Sequence, residues 1–271
     1  MNGASREALA AARERLDALT DNTSVDAGSL ADELAAVTAL LHREVSLRRV
    51  LTDPAQPGEA KAELAQRLIG TQVGGPAVDL VSGMVRSRWS QSRDLVDALE
   101  QLAAVADLTA AQRRGRLDNV EDELFRFGRI VASTTELRAA LTNRSASATA
   151  KGELLRSLLG GRADAVTERL VTRLVAAPRG RSLESGLESL SKLAAESRDR
   201  MVAVVTSAVP LSDQQKQRLG GALAKLYGRP MHLNLDVDPE VLGGIRVQVG
   251  DEVINGSIAD RIEDAGRRLA G

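Results

Sequence analysis

The chain has 271 residues, enough for about two domains at roughly 150 residues each. Hydrophobic residues make up 43% of it, which excludes global disorder. With 36 basic and 37 acidic residues the formal net charge is −1, so there is no electrostatic case for nucleic acid or an anionic membrane surface.

One Trp, one Tyr and two Phe leave Leu, Val and Ala to build the core, the composition of helix packed on helix. There is no cysteine, which excludes disulfides and thiolate metal sites. Residues 1–15 lack the apolar core of a signal peptide. No apolar run approaches the ~20 residues that a membrane helix needs. These features predict a soluble, intracellular protein without direct membrane insertion.

From Ser5 to about Arg200 the pattern is helix after helix. Leu9, Ala12, Leu16 and Leu19 form one apolar face, ended by Asp21-Asn22-Thr23. Leu30, Leu34, Val37 and Leu41 form a second. Asp53-Pro54 and Pro57-Gly58 mark a loop before a helix over Ala60 to Ile69, and Gly74-Gly75-Pro76 separates that from Val78 to Val85. Asp94 to Arg114 contains no Gly or Pro and predicts one long helix.

The helical region repeats itself at an offset of ninety residues (Leu47 against Leu137). Leu47, Arg48, Leu51, Thr52, Ala60, Lys61, Glu63, Leu64, Leu68 and Gly70 recur as Leu137, Arg138, Leu141, Thr142, Ala150, Lys151, Glu153, Leu154, Leu158 and Gly160. Upstream, Asp32-Glu33-Leu34 recurs as Asp122-Glu123-Leu124. Short repeats of ~20–50 residues suggest solenoids. A unit of ninety can form a helical bundle alone, so two homologous bundles in series are expected, residues 1–93 and 94–200, with the long helix serving both.

Residues 201–271 read as a compact strand-helix-sheet-helix module, so the fold class is mainly α with a small α/β C-terminal domain. Pro210 with Ser212 and Gln215 is a capping box that starts a helix carrying Leu219, Leu223 and Leu226. Met231 to Val237 is apolar at every second residue, a half-buried strand. Gly243-Gly244 precedes a second strand, Ile245 to Val249, and Gly250-Asp251 turns into Glu252-Val253-Ile254. Asn255-Gly256 closes the sheet, and Ser257 with Asp260 caps a last helix.

Chemistry has little to stand on. His42 and His232 are the two histidines, and no His or Cys cluster offers metal ligands. Gly160-Gly161, Gly220-Gly221 and Gly243-Gly244 lack phosphate-loop spacing, and Ser257 after Gly256 reads as a cap rather than a nucleophile. Arg169, Arg173 and Pro178-Arg179-Gly180-Arg181 read as a solvated loop region neutralised by Glu184 and Glu188 rather than a phosphate site. Trp89 is expected to pack at a bundle edge.

The order Ser207-Ala208, Pro210-Leu211-Ser212, Asp238-Pro239, Leu242-Gly243-Gly244, Gly250-Asp251 and Val253-Ile254-Asn255-Gly256-Ser257-Ile258 resembles the C-terminal signature of the ATP synthase delta subunit family, which includes the mitochondrial oligomycin-sensitivity-conferring protein. Asn255 stands where the family usually carries Asp, and both residues tolerate turn angles. In that family one helical bundle precedes the small domain, so 94–271 resembles the whole family unit and 1–93 an extra bundle, the arrangement of the actinobacterial branch. The resemblance implies a non-catalytic stator subunit without cofactor or metal, present as one copy in a hetero-oligomeric complex. It implies a location peripheral to the cytoplasmic face of the bacterial plasma membrane.

The resemblance also implies partners. The family's bundle receives the N-terminal helix of an alpha subunit in a groove between its first and fifth helices, here roughly Leu99 to Ala111 and Ala165 to Ala176. Val105, Leu108, Leu170 and Leu174 are the candidate contacts, with filling of the bundle's own core as the competing role. The C-terminal domain engages the membrane-anchored b subunits. Ser212, Gly243, Gly244, Gly256 and Ser257 serve as structural turns and caps. A free-standing helical-repeat adaptor or RNA-binding scaffold is the alternative; it would need aromatic stacking residues or a basic face, and Met231 to Ile254 contains no Phe, Tyr or Trp.

Overall fold

The computed structural model describes residues 2–21, 24–198, 201–227, 231–238, 244–249 and 252–255. They fall into two compact units, one all-helical and one of sheet and helix. The helical unit holds α1 (Gly3–Asp21), α2 (Ala27–Arg43), α3 (Val45–Thr52), α4 (Gly58–Ile69), α5 (Gly75–Arg86), α6 (Ser92–Arg113), α7 (Leu117–Ser133), α8 (Thr135–Thr142), α9 (Ala148–Leu159), α10 (Ala165–Ala176) and α11 (Leu183–Arg198).

The repeat is structural as well as sequential. Adding ninety to the bounds of α2, α3, α4 and α5 gives those of α7, α8, α9 and α10 (27 becomes 117 and 43 becomes 133, for α2 and α7). The shared residues have shared work. Thr52 and Thr142 donate to the carbonyls of Arg48 and Arg138, at 2.8 and 2.7 Å. Asp53 and Asn143 each accept from the amide two residues on, closing the same turn. Glu33 accepts from Gly74 N at 2.9 Å, and Glu123 from Asp164 N at 2.8 Å, so each carboxylate on the second helix of a copy steadies the start of the fifth.

Local signals explain the helix ends. Asp26 caps α2 by accepting from the amides of Gly28 and Ser29, Ser147 caps α9 and Asp164 caps α10. The long helix is α6, and it ends where Gly115 takes a φ of +65° and the Arg116 amide returns to the Ala111 carbonyl. One hydrophobic core runs through all eleven helices' range, from Ala8 to Ala194, with α6 buried on every side. Residues of both copies therefore share that core, and α6 packs against α2 of the first copy and α7, α10 and α11 of the second. Truncating a core leucine such as Leu99 or Leu124 to Ala costs about 2–5 kcal/mol.

The second unit contains β1 (Met201–Ser207), α12 (Asp213–Tyr227), β2 (Met231–Val237), β3 (Ile245–Val249) and β4 (Glu252–Asn255), in sheet order β2-β1-β3-β4. β1 pairs parallel with β2 across the α12 crossover and antiparallel with β3, which forms a hairpin with β4. Ala203, Val205, Val247 and Val249 are buried with Leu223 and Leu233 in a separate small core. The capping box is present: Ser212 N donates to Gln215 Oε1 at 2.8 Å, and Gln215 N to Ser212 Oγ at 3.4 Å.

One face assignment differs from the periodicity. Leu219 and Leu223 pack inward, but Leu226 is 66% exposed and Tyr227 packs inward instead. The buried stripe follows i, i+4, i+8 because it lies along the sheet; i+7 falls off its edge. Gly244 has a φ of +91°, a turn conformation that favours glycine. Gly243, Gly256, Ser257 and the last helix lie outside the described residues.

Candidate partner-binding face

The seam between α6 and α10 is where the sequence placed the helix-receiving groove. Val105 and Leu108 on α6 and Leu170 and Leu174 on α10 are all buried, with exposures of 1, 0, 3 and 5%. In the isolated chain they fill the bundle core beneath the seam and do not line an open apolar slot. Gly186 on α11 stands against this core: a Cβ there would clash with Leu174 Cδ1. Glycine lets α11 pack closely against α10.

The seam also holds a charge cluster that periodicity did not reveal. Asp107, fully buried on α6, accepts from Arg169 Nε at 3.0 Å and Nη2 at 2.5 Å, and from Arg173 Nη1 at 2.5 Å. Arg173 also donates to Asp32 on α2, so the cluster ties the first copy to the second. Burial pushes the Asp107 carboxyl above its usual range, and Arg173 and Arg169 pull against that. A signal was present: Asp107 interrupts the apolar run Ala103 to Leu108. Its partners, 62 and 66 residues away, carry no local sign of it.

The arginine-rich region is not balanced as the sequence suggested. Arg169 and Arg173 are answered by Asp107, and Arg179 and Arg181 by Glu100 on α6, at 2.5 and 2.6 Å. Glu184 instead faces Arg138 at 3.7 Å. Trp89 is buried, donating its indole N–H to the Met84 carbonyl at 2.7 Å, which is the packing role expected. His42 is exposed, and the His232 side chain lies outside the described residues.

Three or more His, Cys, Asp or Glu side chains do not gather into a metal-binding group among the described residues. No described helix is long and apolar enough to cross a membrane. Exposed apolar side chains that the sequence did not single out include Val45 and Val50 on α3 and Phe125 and Ile130 on α7.

Comparison with known proteins addresses the whole chain. The family model described as ATP synthase delta (OSCP) subunit matches residues 99–269. The chain is 88% identical to the ATP synthase subunit delta of Streptomyces coelicolor over 270 residues, covering 100% of this chain and 98% of that protein. It is 79% identical to the protein of the same name from Streptomyces griseus, over 100% of both chains. It is 49% identical to that from Thermobifida fusca, again over 100% of both.

Proposed function

The chain belongs to the ATP synthase delta (OSCP) subunit family, the non-catalytic peripheral-stalk subunit of that complex, and we propose that it tethers the catalytic head to the membrane-anchored b subunits. The observation that carries this reading is where the family match begins. It starts at Leu99, inside α6, and takes in α7 to α11 and the sheet unit. In this reading one family unit, residues 94–271, sits within the chain, and the first copy adds to it.

In this reading the second copy, residues 94–200, receives the N-terminal helix of an alpha subunit along the α6–α10 seam, over Val105, Leu108, Leu170 and Leu174. Residues 201–271 engage the b subunits. Residues 1–93 add a second stator contact, to a b-type subunit or a further alpha subunit. The assembly holds the protein at the cytoplasmic face of the plasma membrane. Its mechanical task is to resist torque: rotation of the central shaft would otherwise drag the head round, and the free energy of proton flow would be lost. A shared core suits that task, because two bundles built on one rigid helix cannot swing on a flexible linker.

The test is a titration of the full chain with a peptide from the alpha subunit N-terminus, followed by calorimetry and by amide hydrogen exchange. One-to-one saturable binding that protects α6 and α10 is expected. Protection of α1 and α5 as well, with two equivalents bound, would assign the first copy to another alpha subunit. Absence of saturable binding to the well-folded chain would overturn the seam. Hydrogen exchange is preferred to a polar substitution at Leu108 or Leu174, since their burial makes such variants unfold.

A further inference from the structure

Away from the seam, a cavity of about 390 Å³ opens between the two copies, lined by His42, Arg48, Arg93, Val96, Asp97, Arg179 and Gly180. Its cations come from α3, from the start of α6 and from the loop between α10 and α11. We propose that this cavity is a binding site for a phosphate-class oxyanion, with Arg48 and Arg93 as its principal donors.

The charges in it do not balance. Arg93 has Asp97 at 3.6 Å, and Arg179 has Glu100 at 2.5 Å, which it shares with Arg181. Arg48 has no carboxylate among the described residues. It donates from Nη1 to the Leu41 carbonyl at 3.3 Å, and its buried Nε finds no acceptor. The repeat supplies the control. Arg138, ninety residues on, is the counterpart of Arg48, and it does face a carboxylate, Glu184 at 3.7 Å. The same arginine is neutralised in one copy and left to the cavity in the other.

Arg179 strengthens the contrast. Counted from the ends of α5 and α10, Trp89 and Arg179 hold the same place, three residues past each helix. In the first copy an indole plugs the bundle. In the second the plug is a guanidinium, its side chain only 5% exposed, donating to the Val96 carbonyl and paired with Glu100, while its Nε finds no acceptor.

Arg179 also adopts a φ of +49°, a left-handed conformation that costs a non-glycine residue energy. Arg93 donates to the Arg179 carbonyl and so fixes the loop beside the cavity. An apolar plug would cost less than a buried arginine in a strained turn. A compact, multiply charged oxyanion that accepts from several planar guanidinium donors offsets that cost.

The experiment is calorimetric titration of the full chain with inorganic phosphate, with ADP and ATP, and with acetate, at constant ionic strength held by chloride. Saturable one-to-one phosphate binding is expected, weakened about tenfold or more in Arg48→Gln and in Arg93→Gln, as the loss of a charge-assisted donor implies. Arg144→Gln, at an exposed position outside the cavity, leaves it unchanged. Should Arg48→Gln disturb the fold, seen as a shift in Trp89 emission, the half-exposed Arg93 carries the test. Tighter binding of nucleotide than of phosphate, with the same dependence on Arg48, identifies a nucleotide phosphate as the source; equal or weaker binding identifies free phosphate. No saturable phosphate binding, binding undiminished in both variants, or acetate binding as tightly as phosphate overturns the proposal.

Discussion

Replacing Asp107 by Asn and by Ala separates the two things its carboxylate does in the seam. It is fully buried and accepts three hydrogen bonds from two arginines whose side chains are 33 and 27% exposed. Removing one partner of a buried ion pair costs about 3–5 kcal/mol when the other is left dry. Here the guanidiniums reach solvent and Arg173 keeps Asp32, so Asp107→Ala is expected at about 2–3 kcal/mol. Asn keeps the shape and one acceptor while removing the charge.

Burial outweighs the arginines in setting the Asp107 pKa, so the ionised form is held at a cost relative to the protonated one, and Asp107→Asn should cost no more than about 1 kcal/mol. A folded pKa above the unfolded value means that the native state binds more protons between the two. Wild type is therefore strongest relative to Asp107→Asn below the ordinary Asp range, about 4, and loses ground as pH rises through the raised value. The assay is urea unfolding followed by Trp89, the one tryptophan, whose burial in the helical unit makes it report that unit alone. Equal destabilisation by Asn and Ala at neutral pH would refute the argument, because ionisation and not hydrogen bonding would then hold the seam.

Two further outcomes follow from the same structure. Asp26→Ala, which removes the α2 cap, should cost about 1 kcal/mol at neutral pH. Hydrogen bonds from Ser29 and then Gly28 lower the Asp26 pKa, so the difference from wild type should shrink as pH falls through the carboxylate range, and a constant difference would count against the cap. In the sheet unit, Leu223→Ala should cost about 2–5 kcal/mol and Leu226→Ala within about 0.5 kcal/mol, by thermal unfolding of each variant. Similar costs for the two would mean that α12 presents a different face to the sheet.

Helix starts and stops were legible because they are local. Prolines, glycines and cap residues gave the ends of α4 and α6 within two residues and those of α5 within three, and strict alternation gave β2 and β3. β1 was harder to delimit. Paired on both sides, it reads as a short apolar run, Val202 to Val205, with no alternation to mark it. The exposure of the candidate groove residues was not legible. Its four residues are buried, and spacing along a helix cannot say which of two neighbours covers a face.

That ambiguity has a structural origin in α6. In a bundle standing alone, the first and last helices each keep one face in water. Here a single helix is the last of one copy and the first of the next, so both its faces are taken. The consequences show in the sequence: Leu, Val and Ala around the circumference, weak amphipathic contrast, and two buried carboxylates, Asp94 accepting from Ser5 and Asp107 with arginines reaching in from α10. Sharing a helix in this way gains stiffness between the copies and gives up the open face that a solitary bundle would show. The α6–α10 seam is therefore already braced by α11 and by α2, through Gly186 against Leu174 and Asp32 on Arg173. Under the proposed stator reading, a surface braced in this way would pass load directly into the shared core.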